Sequence, residues 1–386
     1  MRAQRLDDGL ADRQRGGFRR FERPIVEIDA IPFRGGFRVL CVIERVARER
    51  DTQNSENPYT STGRFPTARD PASRHPRRMT QPRSQLVPPG SDGTYHCVQR
   101  CVRRAFLCGI DDYTGKSFEH RKLWVEERLR LLAECFAVSI HAYAVMSNHL
   151  HLVVQLAPDS SAAWSAEDVA ARWVRLFPPR FDSADAVEGK CRRLIDDPER
   201  LQLIRSRLCD LSWLMRCLAE PIARRANSED HCKGRFWEGR FKSQRLCDER
   251  ALLAAMTYVD LNPVRAGVAQ TLDDSAHTSA AARIAIAGKT PQTLGAPLAP
   301  VLGVPKAPLT ITTADYLQLL DWTGRQLAPG KHGRITGDAP ACLRMVDTDA
   351  ARWTTRVRGI GSGYWRVVGS AEQLIALAQR IGQRWL

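Results

Sequence analysis

The feature that most constrains the fold of this chain is a predicted β-hairpin. Residues 139–145 have the composition of a strand, residues 146–148 form a turn region, and residues 149–156 alternate in hydrophobicity as a second strand does. Because successive side chains of a strand point to opposite faces, one face of the second strand is expected to lie in a core. The side chains on that face are Leu150, Leu152, Val154 and Leu156.

Further segments place this hairpin in a larger sheet. A strand is predicted at residues 94–100 and an amphipathic helix at 118–137. Residues 157–198 are polar and mixed, which indicates an inserted loop with a short helix, and two more helices are predicted at 208–226 and 248–261. The order strand, helix, strand, strand predicts an α+β fold in which helices pack against a central antiparallel β-sheet.

The chain divides into four parts by composition. Residues 1–78 contain arginine but no lysine, and we expect them to be a disordered extension. Alternatively, Met79 is the true first residue and the start of the gene was assigned too far upstream. Residues 79–269 carry the regular patterns and are predicted to form the main domain. Residues 270–308 are rich in Ala, Pro, Thr and Gly and are predicted to be a linker, and residues 309–386 a small helical C-terminal domain. The helices predicted in this last part are residues 313–327 and 371–385.

The charge of the chain indicates a polyanionic partner. Its 58 Lys and Arg against 43 Asp and Glu give a formal net charge of +15, and the pI is near 9.7. A basic surface that meets phosphates releases their counterions, so nucleic acid is the first candidate. Composition alone leaves open a basic protein that binds no nucleic acid.

The sequence also predicts where the protein resides. No run approaches the roughly 20 apolar residues that a membrane-spanning helix needs. The N-terminus carries Asp7, Asp8 and Asp12 among its arginines and has no long apolar stretch, which argues against a secretory signal. The 11 cysteines lack paired spacing and are expected to be reduced thiols. The expected location is the cytoplasm, without membrane association.

His149 and His151 are the first candidate for chemistry. Residues two apart in a strand project from the same face, so the two imidazoles are expected side by side and opposite the apolar side chains. Such a pair can bind a metal ion. Taken alone, a chance His-x-His pattern on a polar strand face is the more common explanation.

Tyr258 and Asn262 form a second candidate about a hundred residues later. They are four residues apart at the end of a predicted helix and therefore share one helix face. The same stripe upstream holds only Ala251 and Ala255, which predicts room for a substrate strand. A tyrosine on an apolar face is often plain core, yet an adjacent stripe of larger apolar residues already supplies a core face.

Together these segments resemble a known family. Residues 143–152, Tyr-Ala-Val-Met-Ser-Asn-His-Leu-His-Leu, and residues 258–267, Tyr-Val-Asp-Leu-Asn-Pro-Val-Arg-Ala-Gly, are similar to the two signature segments of the single-tyrosine HUH transposases. The similarity is greater to the branch called REP-associated tyrosine transposases. It covers residues 93–267, and it is the ordered pair of segments that makes it specific.

The resemblance implies a function and assigns residues to it. It implies an enzyme that cuts and rejoins single-stranded or hairpin DNA, with Tyr258 as nucleophile and with His149, His151 and Asn262 as ligands of one Mg or Mn ion. Such an ion would withdraw electrons from a phosphodiester and stabilise the charge that develops on its oxygens. Attack by the tyrosine would leave a 5′-phosphotyrosine. A domesticated DNA-binding protein that keeps the fold without cutting is the alternative, and both a monomer and a homodimer remain open.

A basic aromatic segment precedes the tyrosine helix. Residues 234–243 interleave cations with aromatic side chains, as expected of a surface that contacts phosphates and stacks on unpaired bases. The alternative is a structural loop with buried aromatic rings and solvated charges. The candidate DNA-binding residues are Arg235, Trp237, Arg240 and Lys242, together with Arg100 from an earlier basic cluster. His96 and His141 are left out of the predicted site, because a single strand histidine is usually structural or exposed.

Overall fold

The structure is a computed structural model, and it describes residues 85–88, 90–102, 108–111, 115–181, 183–272, 274–327, 339–362 and 366–383. These residues belong to one of the two units into which the chain divides, Arg50–Leu386. The other unit, Met1–Glu49, lies outside the described residues. So does the whole of the predicted N-terminal extension, residues 1–78.

A six-stranded, mostly antiparallel sheet forms the centre of the described structure, in the order β5-β2-β3-β1-β4-β6. All neighbouring strands are antiparallel except β4 and β6, which are parallel. The strands are β1 (Gly93–Arg100), β2 (Val138–Val145), β3 (His149–Leu156), β4 (Lys242–Leu246), β5 (Leu302–Gly303) and β6 (Val367–Val368). A mixed α/β fold of this kind agrees with the α+β class that the sequence predicts.

The predicted hairpin forms the centre of this sheet. β2 and β3 pair in antiparallel register from Val145 opposite Leu150 outward, and the turn is closed by the Met146 N–H, which donates to the His149 carbonyl at 2.9 Å. β1 pairs with the other edge of β3, which brings Arg100 opposite His149. β3 therefore has a strand on both sides, and its backbone is held by pairing with both neighbours.

Thirteen α-helices surround the sheet in the described part of the chain. They are α1 (Arg121–Cys135), α2 (Pro158–Ala162), α3 (Ala166–Leu176), α4 (Ala184–Ile195), α5 (Pro198–Arg207), α6 (Leu211–Glu229), α7 (Glu249–Asp260), α8 (Asn262–Arg265), α9 (Ser279–Lys289), α10 (Thr313–Leu327), α11 (Cys342–Met345), α12 (Ala350–Ser362) and α13 (Ala371–Arg380).

The two faces of the sheet differ in character. On one, which we call the apolar face, Leu150, Leu152, Val154 and Leu156 of β3 are buried in a core completed by α1 and α6. On the other, which we call the histidine face, β1, β3 and β4 present the polar side chains His96, His149, His151 and Gln244. A second core covers this face, made by α7 and by helices of the C-terminal part. The aliphatic and the polar side chains lie on opposite faces because successive residues of a strand point to opposite sides.

Residues 270–308, predicted to be a linker, are structured where they are described, and this corrects the sequence interpretation. They contain α9 and a 3-10 turn at Pro291–Leu294, and β5 extends the sheet by pairing with β2. Thr278 begins α9 by accepting the Ala281 N–H at 3.2 Å. An alanine-rich helix and a two-residue strand have the composition of a linker, which is why the sequence patterns do not show them.

Two other segments also differ from the sequence prediction. Residues 157–198, predicted to be a loop with a short helix, form α2, α3 and α4 and begin α5. The C-terminal part, predicted to be a separate helical domain, shares the core of the histidine face with α7, and its β6 joins the central sheet. The domain boundaries at 78/79 and 269/270 stay predictions. Among the described residues no helix is long and apolar enough to cross a membrane.

Candidate active site

β3 brings the two predicted metal ligands together. His149 and His151 project from the histidine face with ring centroids 4.8 Å apart and ring planes at 77°. His151 is buried, whereas His149 is partly exposed at the turn. His149 Nδ1 donates to the Asn148 Oδ1 at 2.5 Å, so its Nε2 is left without a proton. The pair therefore has one buried and one accessible imidazole.

α7 and α8 bring the second candidate pair to the same place. Asp248 precedes the first residue of α7 and caps the helix, since its carboxylate accepts the Ala251 N–H at 2.7 Å; the chain continues into α8 at Asn262, just before Pro263. The Tyr258 ring lies edge-on to the His151 ring, with centroids 5.6 Å apart. The Asn262 Nδ2 lies 3.2 Å from the His151 Nε2. Four side chains from two distant segments thus converge.

The alanine stripe on α7 does not have the role that the sequence suggests. Ala251 and Ala255 are fully buried in the core of the histidine face, where α7 packs against β2 and β3. Their small side chains let the helix approach the sheet closely rather than leave room for a substrate strand. This close approach is what places the Tyr258 ring beside that of His151.

His96 and Gln244 belong to the same site, although the sequence prediction leaves His96 out and does not consider Gln244. His96 Nε2 lies 2.9 Å from His151 Nδ1, and His96 Nδ1 lies 2.7 Å from the Gln244 Oε1. The Gln244 Nε2 donates to the Ile360 carbonyl at 3.2 Å. The β1 to β4 register sets His96 opposite Gln244, and only the sheet topology reveals that pairing.

Burial keeps the three histidines neutral. It lowers the pKa of His96 to about 4, against a smaller raising effect of the hydrogen bond to Gln244, and it lowers the pKa of His149 to about 4, with a further contribution from Arg100. The pKa of His151 falls well below its usual value, first through burial and then through the neighbouring His96 and His149. Neutral imidazole is the form that binds metal ions, so these rings need no deprotonation near pH 7.

Positive charges surround the four converging side chains. Arg100 lies opposite His149 in the β1 to β3 register, and Lys242 lies opposite Val98, which in turn pairs with His151. Arg100, Val98 and Lys242 therefore all lie on the histidine face, and the side chains of Arg100 and Lys242 are exposed. The Arg265 guanidinium lies 4.5 Å from the centroid of the Tyr258 ring. The sequence prediction names Arg100 and Lys242 but not Arg265.

The basic aromatic loop has two buried aromatic rings, one partly buried ring and exposed charges. Phe236 and Phe241 lie in the core of the apolar face, and the Trp237 Nε1 donates to the Ala219 carbonyl at 2.8 Å. Trp237 thus anchors the loop to α6, which favours the structural alternative for the aromatic residues. Arg235 and Arg240 are exposed on the loop surface and remain candidates for phosphate contact.

The C-terminal part also packs against the site. A Cβ added at Gly361 of α12 would lie 2.6 Å from the Tyr258 Cζ, so a larger residue at this position would have to displace the tyrosine ring. Tyr143, by contrast, is on the apolar face, where its hydroxyl donates to Glu126 at 3.1 Å. Burial and the nearby Glu126 raise the pKa of Tyr143. Tyr258 is therefore the tyrosine placed beside the histidines.

The donor atoms at this site suit a divalent cation with open positions. Among the described residues no three His, Cys, Asp or Glu side chains are grouped as a metal site. The set present is instead two neutral imidazoles and the amide of Asn262, whose oxygen is a hard donor. Mixed imidazole and oxygen ligation with open positions fits Mn or Mg on a phosphate better than it fits structural zinc.

The chain shows a low level of similarity to a protein of known structure. No protein-family profile and no curated protein match the chain. The chain is similar to a REP-associated tyrosine transposase whose structure is solved bound to a REP hairpin. The two are 12% identical with a TM-score of 0.27, and the match covers 57% of this chain and 92% of the other. At this level of similarity, evidence on function has to come from the residues of the site itself.

Proposed function

We propose that this chain is a metal-dependent transposase of the single-tyrosine HUH type, which cuts and rejoins single-stranded or hairpin DNA. The observation that carries the proposal is the convergence of Tyr258 and Asn262 on His151, with His149 beside it. These residues come from two segments separated by about a hundred positions, and the signature segments recognised in the sequence contain all four. A His-x-His pattern that arose by chance is not expected to lie beside a tyrosine and an amide from a distant segment.

His149, His151 and Asn262 would hold the cation. When bound, Mg or Mn supplies Lewis-acid stabilisation of the charge on the non-bridging phosphate oxygens. The Tyr258 oxygen attacks the phosphorus, the bond from phosphorus to the 3′-oxygen breaks, and the phenolic proton passes to solvent. The 3′-oxygen leaves as a hydroxyl after taking up a proton, and the 5′-phosphate stays on the tyrosine. Attack by another 3′-hydroxyl reverses these bond changes and rejoins the DNA.

The surrounding cations have defined tasks in this scheme. Arg265, against the Tyr258 ring, provides a fixed positive charge where negative charge develops in the transition state. Arg100 and Lys242 flank the histidines on the same sheet face and would hold the phosphates on either side of the cut. Arg235 and Arg240 extend the basic surface along the loop, whose Glu238 N–H donates to the Arg100 carbonyl at 2.9 Å.

The decisive experiment is covalent capture of the DNA. Oligonucleotides that carry hairpins from the DNA flanking the gene, labelled at the 3′ end, are incubated with the protein in Mn or Mg and resolved under denaturing conditions. The wild type should form a labelled adduct. Tyr258→Phe, which removes one oxygen and keeps the ring, should form none while DNA binding stays near normal.

Tyr143→Phe is the matched control, because it makes the same chemical change on the apolar face. It should still form the adduct. A wild type that binds DNA but never becomes linked to it would support the non-cleaving binding protein instead. An adduct formed by Tyr258→Phe would mean that another residue is the nucleophile.

A further inference from the structure

His96 and Gln244, which are linked to His151 by hydrogen bonds, determine how His151 can bind a cation. An imidazole binds a metal ion through a nitrogen without a proton, and a neutral imidazole has only one such nitrogen. We infer that Gln244 and His96 are positioning residues that fix the tautomer of His151, so that its Nε2 always faces the site without a proton. The role of this tautomer in metal binding rests on the proposed function, but the tautomer itself does not.

The Ile360 carbonyl, at one end of this chain of hydrogen bonds, can only accept a hydrogen bond. Ile360 lies in the last turn of α12, where carbonyls lack an N–H partner in their own helix. The Gln244 Nε2 donates to this carbonyl at 3.2 Å. The reverse orientation of the amide would bring two acceptor oxygens together. The Gln244 Oε1 is therefore the atom that faces His96, at 2.7 Å.

Donor and acceptor chemistry then fixes the protons of both histidines. An amide oxygen cannot donate, so His96 Nδ1 carries the proton and His96 Nε2 has a lone pair. That lone pair accepts from His151 Nδ1 at 2.9 Å. His151 Nε2 is consequently the unprotonated nitrogen, and the Asn262 Nδ2 donates to it at 3.2 Å. Each bond has only one direction that satisfies both of its partners.

Burial makes this order strict. The exposed fractions of Gln244, His96 and His151 are 8%, 2% and 4%, so water cannot replace a lost partner. The His96 and His151 rings are also nearly parallel, at 13°, with centroids 5.2 Å apart. The opposite tautomer of either ring would set two N–H groups or two lone pairs against each other inside the protein.

His96 and Gln244 support a proposed metal ligand without contacting the cation themselves. Protein groups that accept the other N–H of a metal-binding histidine fix its orientation and its tautomer, and their loss typically weakens metal binding by about 10- to 100-fold. Here the accepting group is an imidazole, itself ordered by an amide and by a backbone carbonyl. Ile360 belongs to the C-terminal part of the chain, outside the segment that resembles the family. Through Gln244 and His96, this part thus determines which ring nitrogen of His151, a proposed metal ligand, carries the proton.

The direct test is NMR on metal-free protein labelled with ¹⁵N in its histidines. Long-range proton–nitrogen correlations report which ring nitrogen carries the proton. We expect a protonated Nδ1 and an unprotonated Nε2 for both His96 and His151 in the wild type. In Gln244→Leu both rings should lose this single tautomer and show averaged nitrogen signals.

The chain offers a matched control for this substitution. Gln155 makes a similar bond to a buried histidine, with its Oε1 3.2 Å from His141 Nε2. Gln155→Leu should change the signals of His141 and leave those of His151 as they are. A wild-type His151 protonated at Nε2 would overturn the inference, and so would a folded Gln244→Leu variant with an unchanged His151.

Calorimetric titration of the metal-free protein with Mn²⁺ tests the consequence. Gln244→Leu should lower the affinity about 10- to 100-fold, and Gln155→Leu should not. Gln244→Glu should keep most of the affinity, because a protonated carboxyl can donate to Ile360 and accept from His96; it also guards against a misfolded leucine variant. Equal Mn²⁺ affinity of wild type and folded Gln244→Leu would refute the link to metal binding. A wild type that binds no Mn²⁺ would refute the metal site while the NMR result stands.

Discussion

The apolar face and the histidine face of the sheet are made by the same strands but serve different ends. On the apolar face, β3 contributes four buried aliphatic side chains to a core whose buried members all precede residue 242. On the histidine face, the same strand contributes imidazoles, and the covering helices extend to the C-terminal part. Burial of its aliphatic side chains on the apolar face fixes the position of β3, and the packing of α7 and the C-terminal helices on the histidine face holds the site residues from the other side.

This division implies that substitutions on the two faces should have separable effects. A change on the apolar face should lower the free energy of unfolding and leave the chemistry of the folded protein intact. A change at the site on the histidine face should abolish the chemistry and leave the fold largely intact. Cleavage, stability and DNA affinity can each be measured to test this separation.

The largest effect is expected from the metal ligands. His149→Ala or His151→Ala should reduce Mn-dependent cleavage by roughly 10³-fold or more, because Lewis-acid stabilisation contributes several kcal/mol to the transition state. Binding of the hairpin should be largely kept, since phosphate contacts lie mainly on other residues. Cleavage is measured in single-turnover reactions, and His141→Ala, another buried strand histidine, should cleave normally. Full cleavage by both ligand variants would remove the metal assignment.

The next effect is on stability. Leu152→Ala empties space in the core of the apolar face, where Leu152 is fully buried, and should cost about 2–5 kcal/mol in the free energy of unfolding. Urea denaturation measures this loss. Below the unfolding transition the variant should still form the covalent adduct. If folded Leu152→Ala does not cleave DNA, the two faces are not separable.

The smallest effect concerns the basic side chains around the site. Removing two phosphate contacts from single-stranded DNA should reduce the slope of log affinity against log salt by about 1.4. We expect this change for Arg100→Ala with Lys242→Ala and also for Arg235→Ala with Arg240→Ala, as measured by fluorescence anisotropy over a range of NaCl concentrations. Only the first pair, which flanks the histidines, should also slow cleavage at saturating DNA. An unchanged slope for the folded loop pair would assign Arg235 and Arg240 to solvated surface.

The centre of the fold could be predicted from sequence because its elements carry strong periodic patterns. The bounds predicted for β3 and for α10 are those of the structure, and β1 and β2 differ from their predicted bounds by one residue at one end. Each of these segments shows a regular alternation or a helical stripe of apolar residues. Such patterns depend only on local geometry, which a single sequence records.

The rest depends on contacts between distant residues. β4 reads Lys-Ser-Gln-Arg-Leu, and β5 and β6 have two residues each, so none carries a clear alternation of apolar and polar residues. Without β4 the register that sets Gln244 beside His96 cannot be inferred. Without that register His96 is a single strand histidine, for which a structural role is the usual explanation. The predicted site residues on β3, α7 and α8 do converge, whereas Trp237 is held in the core packing of its loop.

The position of α12 against Tyr258 and Gln244 has a consequence for the order in which the protein is made. A ribosome completes His96 first and reaches Ile360 and Gly361 about 265 residues later, which takes roughly 13–53 s at elongation rates of about 5–20 residues per second. Throughout that interval the nascent chain lacks the carbonyl that orders Gln244 and the backbone that packs against the tyrosine. Under the proposed function, a truncated translation product that ends before Ile360 would carry every catalytic side chain and still lack an assembled centre.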